Sequence, residues 1–236
     1  MEFDEAALQQ VRETRLLIDE YDRWIFDEVR KHLGQRIIEI GCGLGNLSTH
    51  LTDRELVVGI DISEQAIHDM REQYGSHENL RFYPMSITAP EALELGRFAF
   101  DTAISLNVFE HIEDDAAAIC NAAQLLAPGG KLILIVPAHS SLYGAMDRAI
   151  GHYRRYTADS MSTLMQRSGL EVLEQKYMNL VGALGWLVNG RIFHRRVPPA
   201  GQLRMANRIF PYVRRAEQRF PPPFGISLLT VAQKPC

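Results

Sequence analysis

Apolar positions follow two alternating rhythms along the chain. Between residues 5 and 33, Leu8, Val11, Leu16, Tyr21, Trp24 with Ile25, and Val29 recur at helical spacing among acids and arginines, which predicts helix with Gly34 as its stop. Beyond Gly34, short apolar runs at 37–40, 56–60, 80–83, 100–105 and 131–136 predict strands. The stretches between them, 45–52, 63–73, 89–95 and 113–126, predict helices. Leu132 to Val136 is apolar at every position, as a strand buried on both faces requires. A helix at 158–168 ends at Gly169, and two further strands are expected near 170–177 and 226–233. Strands alternating with helices argue for an α/β sheet covered on both faces. The last two strands lack a regular helical connection, so an antiparallel pair at one edge is expected.

Length and charge refine this layout. The 236 residues suit a single domain, with 46% hydrophobic residues to fill its core. Within it, 1–34 reads as N-terminal helix, 35–177 and 225–236 as core, and 178–224 as a basic helical insertion. The net charge is −4, yet 190–224 holds eight arginines (Arg191, Arg195, Arg196, Arg204, Arg208, Arg214, Arg215, Arg219) and one acid, Glu217. That asymmetry suggests an anionic or lipid-linked partner and leaves room for contact with a membrane surface, with a solvated arginine-rich helix pair as the equal alternative. The acidic remainder argues against nucleic acid. Leu203, Ala206, Phe210, Val213 and Phe220 give the insertion an apolar stripe, which Pro211 is expected to divide between two short helices. No apolar run approaches the ~20 residues of a membrane span, and Met1 to Glu5 does not open a signal peptide. Three cysteines at no metal-ligand spacing suggest a reducing, cytoplasmic compartment; no metal set is expected, and monomer and homodimer are both open.

The densest chemical signal is Ile37-Ile38-Glu39-Ile40-Gly41-Cys42-Gly43-Leu44-Gly45-Asn46, followed by Gly59-Ile60-Asp61-Ile62-Ser63. Glycines directly after a buried strand let the backbone turn tightly and approach a ligand without a Cβ in the way. An acid at the tip of the next strand, roughly 20 residues on, is placed to accept hydrogen bonds from both hydroxyls of a ribose.

These blocks resemble class I S-adenosylmethionine-dependent methyltransferases. Glu39 to Gly45 is similar to their first motif and Gly59 to Ser63 to their ribose-binding strand end. Phe100 to Ser105 with Asn107-Val108-Phe109-Glu110-His111-Ile112 resembles their fourth strand and its exit, and Leu125 to Leu132 the turn into the fifth. Tyr143-Gly144, Asp147, Gly151 to Tyr156 and Pro223 to Leu228 are similar to a bacterial subgroup associated with glycan and natural-product genes. The resemblance implies a Rossmann-like three-layer sandwich, with a seven-stranded, mostly parallel sheet and an antiparallel last strand. It also implies S-adenosyl-L-methionine as cofactor. Glu39, Gly41, Cys42, Gly43, Asn46, Asp61, Ile62, Asn107, Val108 and His111 would surround its methionine and ribose parts. Tyr21 would close over them, and Met85, Ser86 and Ile87 would meet the adenine. Ser86 stands where the family commonly has Asp, so adenine recognition there is expected to be weaker. Cys42, with no base beside it, reads as a small filler.

Methyl transfer requires an acceptor aligned with the S–CH3 bond. His139 to Tyr156 crowds polar side chains just past the fifth strand, and His139, Tyr143, His152 and Arg155 are the candidates for binding or deprotonating a small-molecule acceptor at oxygen or nitrogen. The bland alternative is a surface loop with an Asp147–Arg salt bridge. Two other functions compete. An NAD-dependent oxidoreductase would want glycine at Asn46, and a noncatalytic S-adenosylmethionine-binding protein is suggested by Ser86.

Overall fold

The computed structural model describes residues 19–45, 47–193, 195 and 199–236. The predicted helix before Asp19, and Asn46, lie outside the described residues. Seven strands, β1 (Arg36–Ile40), β2 (Leu56–Asp61), β3 (Leu80–Pro84), β4 (Phe100–Leu106), β5 (Leu126–Pro137), β6 (Glu171–Met178) and β7 (Ser227–Gln233), form one sheet in the order β3-β2-β1-β4-β5-β7-β6. The first five pair in parallel. β7 runs antiparallel between β5 and β6, so the expected antiparallel pair is present, with β6 at the edge.

The helices are α1 (Asp19–Val29), α2 (Glu64–Tyr74), α3 (Asp115–Leu125), α4 (Ala145–Ala149), α5 (Ala158–Arg167), α6 (Leu180–Leu187) and α7 (Ala200–Arg219). Successive strand residues point to opposite faces, so Ile37 and Ile38 serve different cores. Ile38, Val58, Ala103, Leu132 and Leu134 meet Ala118, Ile119 and Ala122 of α3 and Met161 and Met165 of α5. Ile37, Val57, Ile104, Ile133 and Ile135 meet Trp24 and Ile25 of α1, Ile67 and Met70 of α2 and Phe210 of α7. Local chemistry starts several of these helices. Ser63 accepts from the Ala66 N–H at 3.2 Å and Asp114 from the Ala117 N–H at 2.9 Å, as N-cap side chains do.

Three expectations need correction. The predicted helix at 45–52 is, in the described residues, only a 3-10 turn at Ser48–His50, where the Ser48 hydroxyl donates to the Glu39 carboxylate. Pro90–Phe98 is likewise 3-10 helix, ended by Ala99 at φ 49°. Pro211 does not divide the insertion, because α7 runs through it unbroken. An internal proline costs about 3 kcal/mol, and packing on α1 offsets it. Phe210 is buried, with its ring 5.6 Å from Tyr21 and 6.4 Å from Trp24, while Asn207 accepts from the Glu20 N–H and donates to Asp19. Phe220 leaves the predicted stripe and is 75% exposed. The insertion's one acid is structural. The Glu217 carboxylate accepts from the Asn179 and Leu180 N–H groups at 2.9 Å and caps α6.

Candidate active site

The glycine turn leaves the carboxyl end of β1. Gly41, Gly43 and Gly45 have φ of 77°, 50° and 79°, the left-handed region that glycine enters without steric cost. Their surroundings differ. A Cβ on Gly41 would stand 2.3 Å from Cγ2 of Val108, so the turn is packed against the exit of β4 there. A Cβ on Gly43 would meet nothing within 4 Å. Gly43 thus faces open space at the centre of the turn, the room a ligand needs for close backbone approach.

Asp61, the last residue of β2, braces this turn. One carboxylate oxygen accepts from the Gly43 N–H at 2.8 Å and the other from the Ser63 N–H at 2.9 Å. Each oxygen keeps acceptor capacity, and the side chain is only partly buried. Ile62 beside it is 79% exposed. Glu39 lies deeper. Burial pushes its carboxyl up to about 8, against the lowering effect of the Ser48 hydrogen bond. Cys42 is buried and its thiol is pushed far above its ordinary value, chiefly by desolvation, which suits a filler and not a nucleophile.

The neighbouring strand ends complete the concave edge. The Met85 N–H donates to the Asp61 carbonyl at 2.9 Å, and Ser86 closes a small turn by accepting from the Thr88 N–H at 3.2 Å. Ile87 is buried in the core and Met85 partly exposed, so Met85 is the apolar surface offered there. Asn107 takes φ 54°, a conformation asparagine tolerates better than most residues. Tyr21 lies beside the opposite edge, its hydroxyl 2.6 Å from that of Ser227 at the start of β7.

Residues 139–156 do not form a surface loop. The segment folds back over the exit of β4, with the Tyr153 N–H donating to the Glu110 carbonyl at 2.8 Å. Arg154 pairs with Asp115 at 2.7 Å, and the Tyr156 hydroxyl donates to the same carboxylate at 2.8 Å. The expected Asp147–arginine pair exists, but inside the protein. Asp147 is fully buried, and one of its oxygens receives Arg155 Nε at 2.7 Å and His152 Nδ1 at 3.0 Å. Burial would raise the Asp147 carboxyl, yet the His152 hydrogen bond and the Arg155 charge outweigh it and hold it low. The far nitrogen of His152 lies 3.8 Å from Glu110 Oε1, and its ring meets that of His111 edge-on at 4.7 Å.

The proposed bases therefore separate. His152 joins Glu110, His111, Asp147 and Arg155. His139, at φ 61°, is stacked between Phe224 (3.9 Å) and Tyr177 (4.4 Å), and burial, then Arg155, lowers its imidazole. Crowding by protein and by His152 lowers His111 to about 4, although the residue keeps contact with solvent. The Tyr143 hydroxyl donates to the His152 carbonyl at 2.8 Å, a brace for the segment. A small cavity beside it is lined by Leu142, Tyr143, Met146, Trp186, Leu187 and Gly190, bringing α6 of the insertion to the site. Arg155 lies 4.6 Å over the Trp186 ring. The sequence reading included Asp147 in this segment but did not take Glu110 or Trp186 as site residues; the Glu110-His111 pair at a strand exit was the available signal.

Residues 9–175 match the family model described as a methyltransferase domain. The chain belongs to the class I S-adenosylmethionine-dependent methyltransferases. This methyltransferase is 28% identical over 149 residues to an O-methyltransferase of Penicillium expansum, covering 60% of this chain and 54% of the relative. It is also 28% identical over 135 residues to the ubiquinone biosynthesis O-methyltransferase of Aeromonas salmonicida, covering 57% of this chain and 54% of the relative. The chain thus spans about half the length of these curated relatives. Among solved structures, the N-methyltransferase NodS of Bradyrhizobium japonicum in complex with S-adenosyl-L-homocysteine superposes with a TM-score of 0.57 at 17% identity, over 92% of this chain and 87% of that one. The [4+2]-cyclase SpnF superposes at 0.61 and 17% identity, over 91% and 80%. At such identities these structures speak to fold alone. The residues present fit the family's cofactor: a left-handed glycine turn with open space at Gly43 and a half-exposed Asp61 carboxylate beside it.

Proposed function

We propose that this methyltransferase moves a methyl group from S-adenosylmethionine to a hydroxyl oxygen of a small molecule, with nitrogen as the alternative acceptor atom. The reading rests on one observation. The glycine turn touches the exit of β4 through Gly41 and Val108, and the polar cluster of Glu110, His111, Asp147, His152 and Arg155 begins two residues further on. A nucleoside site and a polar acceptor site are thereby adjacent.

The bound cofactor supplies an electrophilic methyl group; the chain supplies position. Gly41, Gly43 and Asp61 hold the nucleoside end, and the wall formed by Asn107, Val108 and His111 fixes the reacting face. The 139–156 segment excludes water and orients the acceptor. Alignment of this kind is worth roughly 7–11 kcal/mol. His139 and His111 both lie below the ordinary imidazole range, so each is a neutral and weakly basic group at physiological pH.

Two of the relatives are named O-methyltransferases, which favours oxygen. The deciding experiment is calorimetry with S-adenosylhomocysteine and NAD, followed by mass spectrometry of acceptor mixtures rich in phenols and sugars. Binding of the S-adenosyl ligand and a methyl mass increment on a hydroxylated acceptor are expected. NAD binding without S-adenosyl binding would favour the oxidoreductase, and S-adenosyl binding with no methylated product would favour a binding protein.

A lipid-linked acceptor is a second reading, supported by the outer face of α7. Met205, Ile209 and Tyr212 are 69%, 37% and 69% exposed at helical spacing, with Arg204, Arg208 and Arg215 exposed beside them. Such a face suits an anionic lipid surface. Co-sedimentation with phosphatidylglycerol vesicles, lost with phosphatidylcholine, is the expected result. No helix among the described residues is long and apolar enough to cross a membrane.

A further inference from the structure

We propose that Glu110, His111 and His152 form a binding site for one divalent first-row transition cation, on which an oxygen of the acceptor completes the coordination. The acceptor half of this statement rests on the methyl-transfer reading above; the cation half does not.

One potential ligand atom from each of the three residues lies within 4.8 Å of the others. An ion about 2.1 Å from each donor wants separations of roughly 3.4 Å in tetrahedral geometry. The observed set is therefore near closure, and His152 Nε2 to Glu110 Oε1 already measures 3.8 Å. Side-chain shifts of about an ångström or less close the remainder.

The surroundings of the imidazoles point the same way independently. A ligating histidine typically donates its other ring N–H to a carboxylate or carbonyl, which fixes the tautomer and aims the free nitrogen. His152 Nδ1 lies 3.0 Å from an Asp147 carboxylate oxygen, a carboxylate partner of that kind. The other ring nitrogen, Nε2, is turned toward Glu110 at 3.8 Å. Asp147 cannot swing away, because Arg155 Nε binds the same oxygen at 2.7 Å and the Gly144 N–H binds the other at 2.9 Å.

The ligand type narrows the ion. Two imidazoles and one carboxylate with open positions suit Zn, Mn, Fe or Co, whereas Mg and Ca prefer all-oxygen shells. The solvent exposure of His111 provides the opening. An acceptor hydroxyl entering there would ligate the ion, its O–H bond breaking with the proton released to water and the electron pair kept on oxygen. Acceptors with two neighbouring oxygens, such as catechols or hydroxy acids, would bind best because they chelate.

The test uses the full chain and Co2+ as probe. Titration followed by calorimetry and by the visible ligand-field bands of Co2+ should show one equivalent bound and a raised Tm. His111→Ala should keep the wild-type circular dichroism while abolishing the bands. Asp147→Asn should weaken Co2+ by about 10–100-fold. The proposal is overturned if a chain that binds S-adenosylhomocysteine takes up none of Co2+, Mn2+ and Zn2+, or if His111→Ala binds Co2+ like the wild type. Co2+ bound through these residues by a chain that ignores S-adenosylhomocysteine would support the cation site and sink the methyl-transfer reading alone.

Discussion

The carboxylate of Asp61 accepts the backbone N–H of Gly43 at 2.8 Å, so the strand tip and the glycine turn form one braced unit. Its second oxygen is held by the Ser63 N–H. Asp61→Asn replaces one of these acceptors with an NH2 group facing an N–H. A loss of roughly 1.5–3 kcal/mol of stability is expected from the broken charged hydrogen bond. S-adenosylhomocysteine affinity should fall by about tenfold or more, each 1.4 kcal/mol being tenfold. Urea unfolding and calorimetry measure the two effects separately, and unchanged affinity would remove Asp61 from the site.

Gly41 and Gly43 should respond differently to alanine. Both are left-handed, which costs an alanine about 1–2 kcal/mol. Only at Gly41 does the new methyl group also collide with Val108. Gly41→Ala should therefore lower Tm well beyond Gly43→Ala. Gly43→Ala should fold and still lose S-adenosylhomocysteine binding, because its methyl group takes the open space. Thermal melts of both variants with and without ligand read this out.

Glu39 should give the protein a pH-dependent stability. Its carboxyl titrates near 8 when folded and near the ordinary value of 4.5 when unfolded. Between these values the folded state keeps a proton that the unfolded state releases, so stability falls as pH rises through the window. The full effect, on the order of 4 kcal/mol, is reached above about pH 8. Glu39→Gln should flatten the slope, seen as a smaller drop in Tm between about pH 5 and pH 8.5. A wild-type Tm that rises over that range would contradict the assignment.

Arg155→Met should be among the more damaging substitutions in the segment. It leaves the fully buried Asp147 charge without its guanidinium, and breaking such a pair costs about 3–5 kcal/mol. Adding Asp147→Asn should recover part of that loss, because the stranded charge is gone. Chemical denaturation of the two single variants and the double variant gives the coupling; strict additivity would mean the pair is unimportant.

Much of the fold was legible because its strands carry their own signature. Ile37 to Ile40 and Leu132 to Val136 are apolar at nearly every position, and only a sheet covered on both sides buries such runs. Cofactor chemistry was legible for a similar reason: three glycines after one strand and an acid after the next are local patterns. Less local features were misread. Pro211 looked like a break because the rule is intrahelical, whereas Phe210 and Asn207 fasten α7 to a helix almost two hundred residues earlier. His139 and His152 looked alike in the sequence and have different fates. One is stacked between aromatic rings contributed by Tyr177 and Phe224, and the other meets Glu110, some forty residues upstream. Spacing along the chain carries no trace of such meetings.

The placement of the two tryptophans has a practical consequence. Trp186 sits under the Arg155 guanidinium at the proposed acceptor site, while Trp24 is sealed among Tyr21 and Phe210 where α1 meets α7. The molecule thus carries two built-in fluorophores reporting on separate events. Trp24→Phe would leave an emission that follows occupancy of the acceptor cavity, and Trp186→Phe one that follows the seating of the basic arm. An unlabelled protein can then be screened optically for its missing substrate, before any product has been identified.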